Sequence, residues 1–192
     1  CTGGWHDAGD YGRYITPAAV TIGHLIYAFM KYPHAFKESL NIPESGNGVP
    51  DLLNEIRWEV DWLLTMQDPY DGGVYHKLTT KHFCGMVQPV DDKLERYVVK
   101  KSTAATLDFV AEMAMISRVY KNVDKELSKK ALKAAEKAWN WAKSNAAILF
   151  TNPEGIRTGS YADMNVEDEW FWAASEMFIT TKEEKYFKEL EK

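Results

Sequence analysis

The stretch STAATLDFVAEMAMISRVY, residues 102–120, decides the fold. Ser102 is a helix N-cap type, and behind it Ala104, Leu107, Phe109, Val110, Met113, Ala114, Met115 and Ile116 leave few polar positions around a helix. A helix that is apolar on nearly every side belongs in an interior. The segment that follows, DKELSKKALKAAEKAWNWAKS at residues 124–144, has the opposite character. Leu127, Ala131, Ala134, Ala138 and Trp141 form one stripe, and lysines cover the rest. That helix is expected on the outside.

The alternation recurs on either side of this pair. Upstream, Thr16 is an N-cap type followed by Pro17, whose missing N–H costs nothing at a first helical position. The helix it opens is expected to reach about Tyr32, with Ala18, Ile22, Leu25, Ile26 and Phe29 on one stripe. After a loop at residues 33–50, a helix opens at Pro50-Asp51 and ends before Asp68-Pro69. It carries Leu53, Ile56, Val60, Leu63 and Leu64 on one face and Glu55, Arg57, Glu59 and Asp61 on the other. Between residues 70 and 101 helical periodicity fails, and Asp71-Gly72-Gly73 before Val74, Tyr75 and His76 marks a turn into short extended pieces. Downstream, a helix begins near Val166 with Glu167, Asp168 and Glu169 in its first turn, where the helix dipole favours carboxylates. Thr181 with Glu184 has capping-box spacing for a last, Glu- and Lys-rich helix. The sequence therefore predicts an all-α fold of inner helices alternating with outer ones, three pairs of a helical toroid, and three pairs do not close a ring.

Composition narrows the function. The 192 residues are 45% hydrophobic and 13% aromatic, with 7 Trp, 10 Tyr and 8 Phe, an excess of rings for an ordinary globular protein. A net charge of −5 argues against a nucleic-acid partner, and the basic run at residues 125–137 is interleaved with Glu126 and Glu136 as a solvated face. The longest apolar run, residues 18–30, is too short for a membrane-spanning helix, so no membrane partner is expected. Position 1 is Cys, and a helical pattern is still running at the last residues, so the chain is expected to be incomplete at both ends.

The densest chemistry is Gly3-Gly4-Trp5-His6-Asp7-Ala8-Gly9-Asp10-Tyr11-Gly12-Arg13-Tyr14, in a loop ahead of the first helix. Two carboxylates three residues apart, with Gly9 between them for a tight turn, can be brought to one water. One ionised carboxylate takes the proton and the other orients the lone pair. The alternative is that Asp7 and Asp10 cap turns, as Asp-Gly sequences commonly do. The aromatic residues beside the carboxylates, beginning with Trp5, suit a sugar-binding groove.

This loop resembles the signature of glycoside hydrolase family 9, the inverting cellulases. The likeness continues through Gly48-Val49-Pro50-Asp51-Leu52-Leu53-Asn54-Glu55, Ser102-Thr103-Ala104-Ala105 and Asp168-Glu169-Trp170-Phe171-Trp172-Ala173-Ala174, and so spans residues 1–192. The resemblance implies an (α/α)6 barrel of six inner and six outer helices, about half of it present here as the N-terminal part of one catalytic domain. It implies hydrolysis of β-1,4-glucan, cellulose or cello-oligosaccharides, with inversion. Asp10 would be the general base and Asp7 its partner, and the acid Glu would lie beyond residue 192. The resemblance further places Tyr161 along the groove and His82 in a loop that contacts substrate. It suggests a secreted, monomeric catalytic domain flanked by accessory modules, needing no cofactor for its chemistry.

The sequence offers two candidate metal sites. Family members bind calcium at a helix start matching Asp168 and Glu169, although Met164 stands where they usually offer a Ser hydroxyl; the alternative is stabilisation of the helix dipole without metal. Cys1 with His6, or Cys84 with His76 and His82, could suggest a structural zinc, but their spacing matches no strong pattern. Trp58, Trp62, Trp139 and Trp141 have helical spacing and are expected to pack between helices rather than to face substrate. Other classes compatible with a toroid are a non-catalytic glucan-binding module and a polysaccharide lyase, the latter with a Tyr or His base in place of paired Asp.

Overall fold

The computed structural model describes residues 2–191. Its elements run β1 (Arg13–Tyr14), α1 (Ile15–Lys31), α2 (Asp51–Met66), β2 (Tyr75–Thr79), β3 (Tyr97–Lys101), α3 (Thr103–Val119), α4 (Lys125–Ser144), α5 (Glu167–Thr181) and α6 (Glu184–Leu190). Helix α3 is the inner element that its composition predicts: every residue from Thr103 to Ser117 is buried. Ser102 caps it, its Oγ accepting the Ala105 N–H at 3.2 Å. Phe109, Met113 and Ile116 have no exposed surface, and each contributes about 1.5–3 kcal/mol by leaving water.

Helices α1 and α5 pack on either side of α3, and α4 packs along it from outside. Gly23 of α1 lies under the Trp172 ring of α5, with 3.3 Å from where a Cβ would stand to that ring. Helices α2 and α6 complete the pairs with α1 and α5. Helix α4 is capped by Asp124, whose carboxylate accepts the Glu126 and Leu127 N–H groups, and Lys129, Lys130 and Lys133 face solvent as the sequence predicts.

Several local expectations are corrected. Helix α1 begins at Ile15 with Tyr14 as N-cap, not at Thr16, because β1 runs directly into it. Glu59 does not share the solvated face of α2: it is buried and accepts the main-chain N–H of Trp5. Trp62, Trp139 and Trp141 are buried, but Trp58 is 56% exposed. Thr181 is the last residue of α5 rather than the cap of α6; its hydroxyl donates back to the Met177 carbonyl at 2.8 Å, and Lys182 ends the helix in the left-handed region. The two acids within α3, Asp108 and Glu112, are wholly buried, and loss of water pushes both well above the usual carboxylate range.

The extended pieces pair as a three-stranded antiparallel sheet in the order β1-β2-β3. Tyr14 lies opposite Lys77, and Lys77 lies opposite Val99. This small sheet sets the first loop beside the segment that leads into α5.

Candidate active site

The loop ahead of β1 is clamped from below by α2. Gly4 adopts a φ of +79°, and a Cβ there would stand 2.6 Å from the Trp62 ring, so only glycine fits. One turn of helix away, Glu59 holds the Trp5 N–H, while the Trp5 indole donates to Glu55 at 2.7 Å. Burial raises the Glu59 carboxyl to about 7, and the Trp5 N–H works against that rise.

The turn that carries the two aspartates is closed by main-chain bonds, from Asp10 N–H to the Asp7 carbonyl at 3.1 Å and from Asp7 N–H to the Gly12 carbonyl at 3.0 Å. The carboxylates meet tyrosines. Asp10 Oδ2 accepts the Tyr14 hydroxyl at 2.7 Å, and Asp7 Oδ2 accepts the Tyr161 hydroxyl. The two phenol rings meet edge to face at 4.8 Å between centroids, so carboxylates and rings form one connected group. Gly12 is required by this packing, because a Cβ would come within 2.9 Å of both the Tyr14 hydroxyl and Asp10 Oδ2.

Both phenols keep their protons and so remain donors. The Asp7 carboxylate and partial burial raise Tyr161 to about 12, and burial together with the Asp10 carboxylate raises Tyr14 still further. Ala8 and Tyr161, both at this group, have positive φ of 35° and 44° without being glycine. Backbone strain of this kind, of order 1–3 kcal/mol, persists where surrounding contacts over-determine it, and it gathers at functional sites.

Above the carboxylates lies an open cleft of about 350 Å³, lined by Asp7, Ala8, Gly9, Asp10, Tyr14, Phe83, Gly159 and Tyr161. Tyr161 and Phe83 are exposed at its edge. Trp5 lines a smaller neighbouring recess with His6, Asp7 and Glu59 instead. His82 is exposed beside Phe83, its carbonyl accepting the Thr80 hydroxyl at 2.5 Å. The sequence alone singles out no role for Phe83, Tyr14 or Lys77. The first sits beside His82 and the second within the signature loop; Lys77 gave no signal, since its place depends on strand pairing.

The carboxylates of Asp168 and Glu169 come together with that of Asp163, one oxygen of each lying within 4.8 Å of the others. Glu169 Oε2 is buried without a hydrogen-bond partner among the described residues. Burial and the adjacent Asp168 and Asp163 raise its carboxyl to about 7. An orphaned oxygen in a knot of three like charges is a donor set suited to a hard cation. No comparable group forms around Cys84 among the described residues: Cys84 is a free thiol, and the His76 ring nitrogens are taken by Ser102 Oγ and the Ser160 carbonyl, both at 2.8 Å. Cys1, the other zinc candidate, lies outside the described residues.

The sequence matches the family model described as Glycosyl hydrolase family 9 over residues 1–192. It is 46% identical to a xyloglucan-specific endo-β-1,4-glucanase of Bacteroides ovatus over 97% of this chain and 34% of that protein. It is 40% identical to endoglucanase D of Acetivibrio thermocellus over 99% of this chain and 31% of that protein. The chain thus spans about a third of the length of these curated relatives. The crystal structure of a single mutant of a thermostable endoglucanase from Alicyclobacillus acidocaldarius superposes with a TM-score of 0.95 at 39% identity, covering 100% of this chain and 37% of that one. The three helical hairpins are accordingly a partial (α/α)6 toroid. By sequence over its whole length and by fold, the chain belongs to glycosyl hydrolase family 9.

Proposed function

We propose that this chain supplies the N-terminal part of an inverting β-1,4-glucanase catalytic domain of a secreted enzyme, with the proton-donating acid outside the chain. The observation that carries this reading is the paired presentation of Asp7 and Asp10 on one main-chain-closed turn under an open cleft, each held by a tyrosine hydroxyl. Each tyrosine occupies one carboxylate oxygen and leaves the other for water. Asp10 takes the proton from a water attacking the anomeric carbon, and Asp7 holds that water. Because the phenols keep their protons, they remain donors that orient both carboxylates. Tyr161 and the loop of His82 and Phe83 border the sugar, and Trp5 acts by anchoring the loop to α2.

Inversion places the acid about 6.5–9.5 Å from the base, leaving room for the water. Proton NMR of cello-oligosaccharide hydrolysis by the complete protein is expected to show the α-anomer first. Initial formation of the β-anomer would overturn the mechanism, and glucan binding with no turnover would favour the non-catalytic module.

Calcium fits Asp163, Asp168 and Glu169, where it would neutralise the carboxylates at the start of α5 and fix the segment that carries Tyr161. Saturating calcium is expected to raise the Tm of the chelator-treated protein by about 5 °C, the increment for binding well above Kd. Asp163→Asn should remove the gain. An unchanged Tm in the wild-type protein would leave helix-dipole stabilisation as the role of Asp168 and Glu169.

A further inference from the structure

Lys77 sits in the middle of β2 with its side chain wholly removed from solvent. Its ammonium donates to Asn152 Oδ1 at 2.7 Å, to the Gly159 carbonyl at 2.6 Å and to Thr158 Oγ1 at 3.2 Å. All three acceptors are neutral. The ammonium also lies 5.6 Å from the centroid of the Tyr14 ring and 5.4 Å from that of Phe150, between two aromatic faces. Buried charges are ordinarily paired with an opposite one, and among the described residues this one touches no carboxylate.

The groups around it can be named element by element. On β1 and the loop before it are Tyr14 and, beyond the phenol, Asp10, whose Oδ2 is 2.7 Å from the Tyr14 hydroxyl. Arg13 is directed elsewhere, towards the Gly4 carbonyl and His6. On β3 the residue opposite is Val99. On β2 itself the neighbour is His76, held at both ring nitrogens and pushed down to about 4 chiefly by burial. The segment at residues 150–161 contributes the neutral acceptors, the Phe150 ring and Tyr161. Burial lowers the Lys77 ammonium to about 8 and the Asp10 charge opposes that shift, so the ammonium is mostly cationic at neutral pH.

We propose that Lys77 is a positioning residue for the candidate base: its fixed positive charge stands behind the Tyr14 ring whose hydroxyl holds Asp10, while its three hydrogen bonds hold the segment that delivers Tyr161 to Asp7. The inference rests on Asp10 being the base. It assigns the acid side of the pH profile partly to a residue that never meets substrate.

The test is the pH dependence of kcat/KM on a soluble β-1,4-glucan, measured in the complete protein for wild type, Lys77→Met, Lys77→Arg and Asp10→Asn. Lys77→Met is expected to move the acidic limb up by about one pH unit, because loss of a nearby cation disfavours the carboxylate. Lys77→Arg keeps the charge and should leave the limb within a few tenths of a unit. A purely structural role would lower kcat or Tm without moving the limb. A folded Lys77→Met protein with the wild-type limb overturns the inference. Should that variant not fold, Lys77→Gln is read in the same way, and failure of both neutral variants to fold assigns Lys77 to structure alone and also overturns it. Inactivity of Asp10→Asn keeps the base reading whatever Lys77 does, whereas an active Asp10→Asn protein with the wild-type limb removes the base reading itself.

Discussion

Replacing Asp10 with alanine in the complete protein is expected to lower kcat on soluble cellulose by about 10³-fold, the usual contribution of a positioned general base. KM should change only a few-fold, because Asp10 lies beneath the cleft while the exposed rings at its edge, Tyr161 and Phe83, are untouched. The fold should survive. The turn is closed by main-chain bonds and loses only the contact of the side chain with the Tyr14 hydroxyl. Steady-state kinetics beside a thermal melt separates the two effects. Near-normal turnover by a folded Asp10→Ala protein would sink the assignment.

The second large effect is on stability. Trp62→Ala is expected to destabilise the protein by about 4 kcal/mol, within the range for truncating a large aromatic in a packed core. Trp62 is 1% exposed, and its ring is the floor on which Gly4 rests. The lost ring leaves a cavity under the signature loop. Glu59, one turn away on α2, still holds the Trp5 N–H, so the loop is loosened rather than released. In the complete protein melting should fall by several degrees, with a roughly tenfold drop in kcat as Asp7 and Asp10 lose their fixed geometry. A melt within 2–3 °C of wild type would show that the surrounding structure closes around the gap.

The helices were legible because their burial is periodic. Residues 102–120 announce an interior helix and residues 124–144 an exterior one, and the structure places α3 and α4 accordingly. Where the sequence misled, local and tertiary signals disagreed. Thr181 and Glu184 have capping-box spacing, but α5 continues through Thr181, since its packing against α3 outweighs a cap worth about 1 kcal/mol. Glu59 shares the helical face of solvated residues, yet a main-chain N–H from 54 residues earlier is waiting for it. Trp58 has the spacing of a packing residue, but among the described residues it is left more than half exposed.

The site divides along the same line. Asp7 and Asp10 could be singled out from sequence because two carboxylates and a glycine within four residues share a turn in almost any fold. Tyr14 holds Asp10 from four residues away and Asp163 joins the acidic knot from five, but the hold on Asp7 is long-range: Tyr161 reaches it across 154 positions. Lys77 is the extreme case. In sequence it is one more lysine of a charged protein, and only the pairing of β1 with β2 and the return of residues 152–159 bury its ammonium behind Tyr14.

The sequence by itself determined the alternation of inner and outer helices and the local turn that carries Asp7 and Asp10, because hydrophobic period and turn chemistry act over a few residues. Only the tertiary structure decided which groups hold those carboxylates and which charge stands behind them. Hydrogen bonds and electrostatic fields depend on distance in space, and Tyr161 and Lys77 come to the turn from far away in sequence.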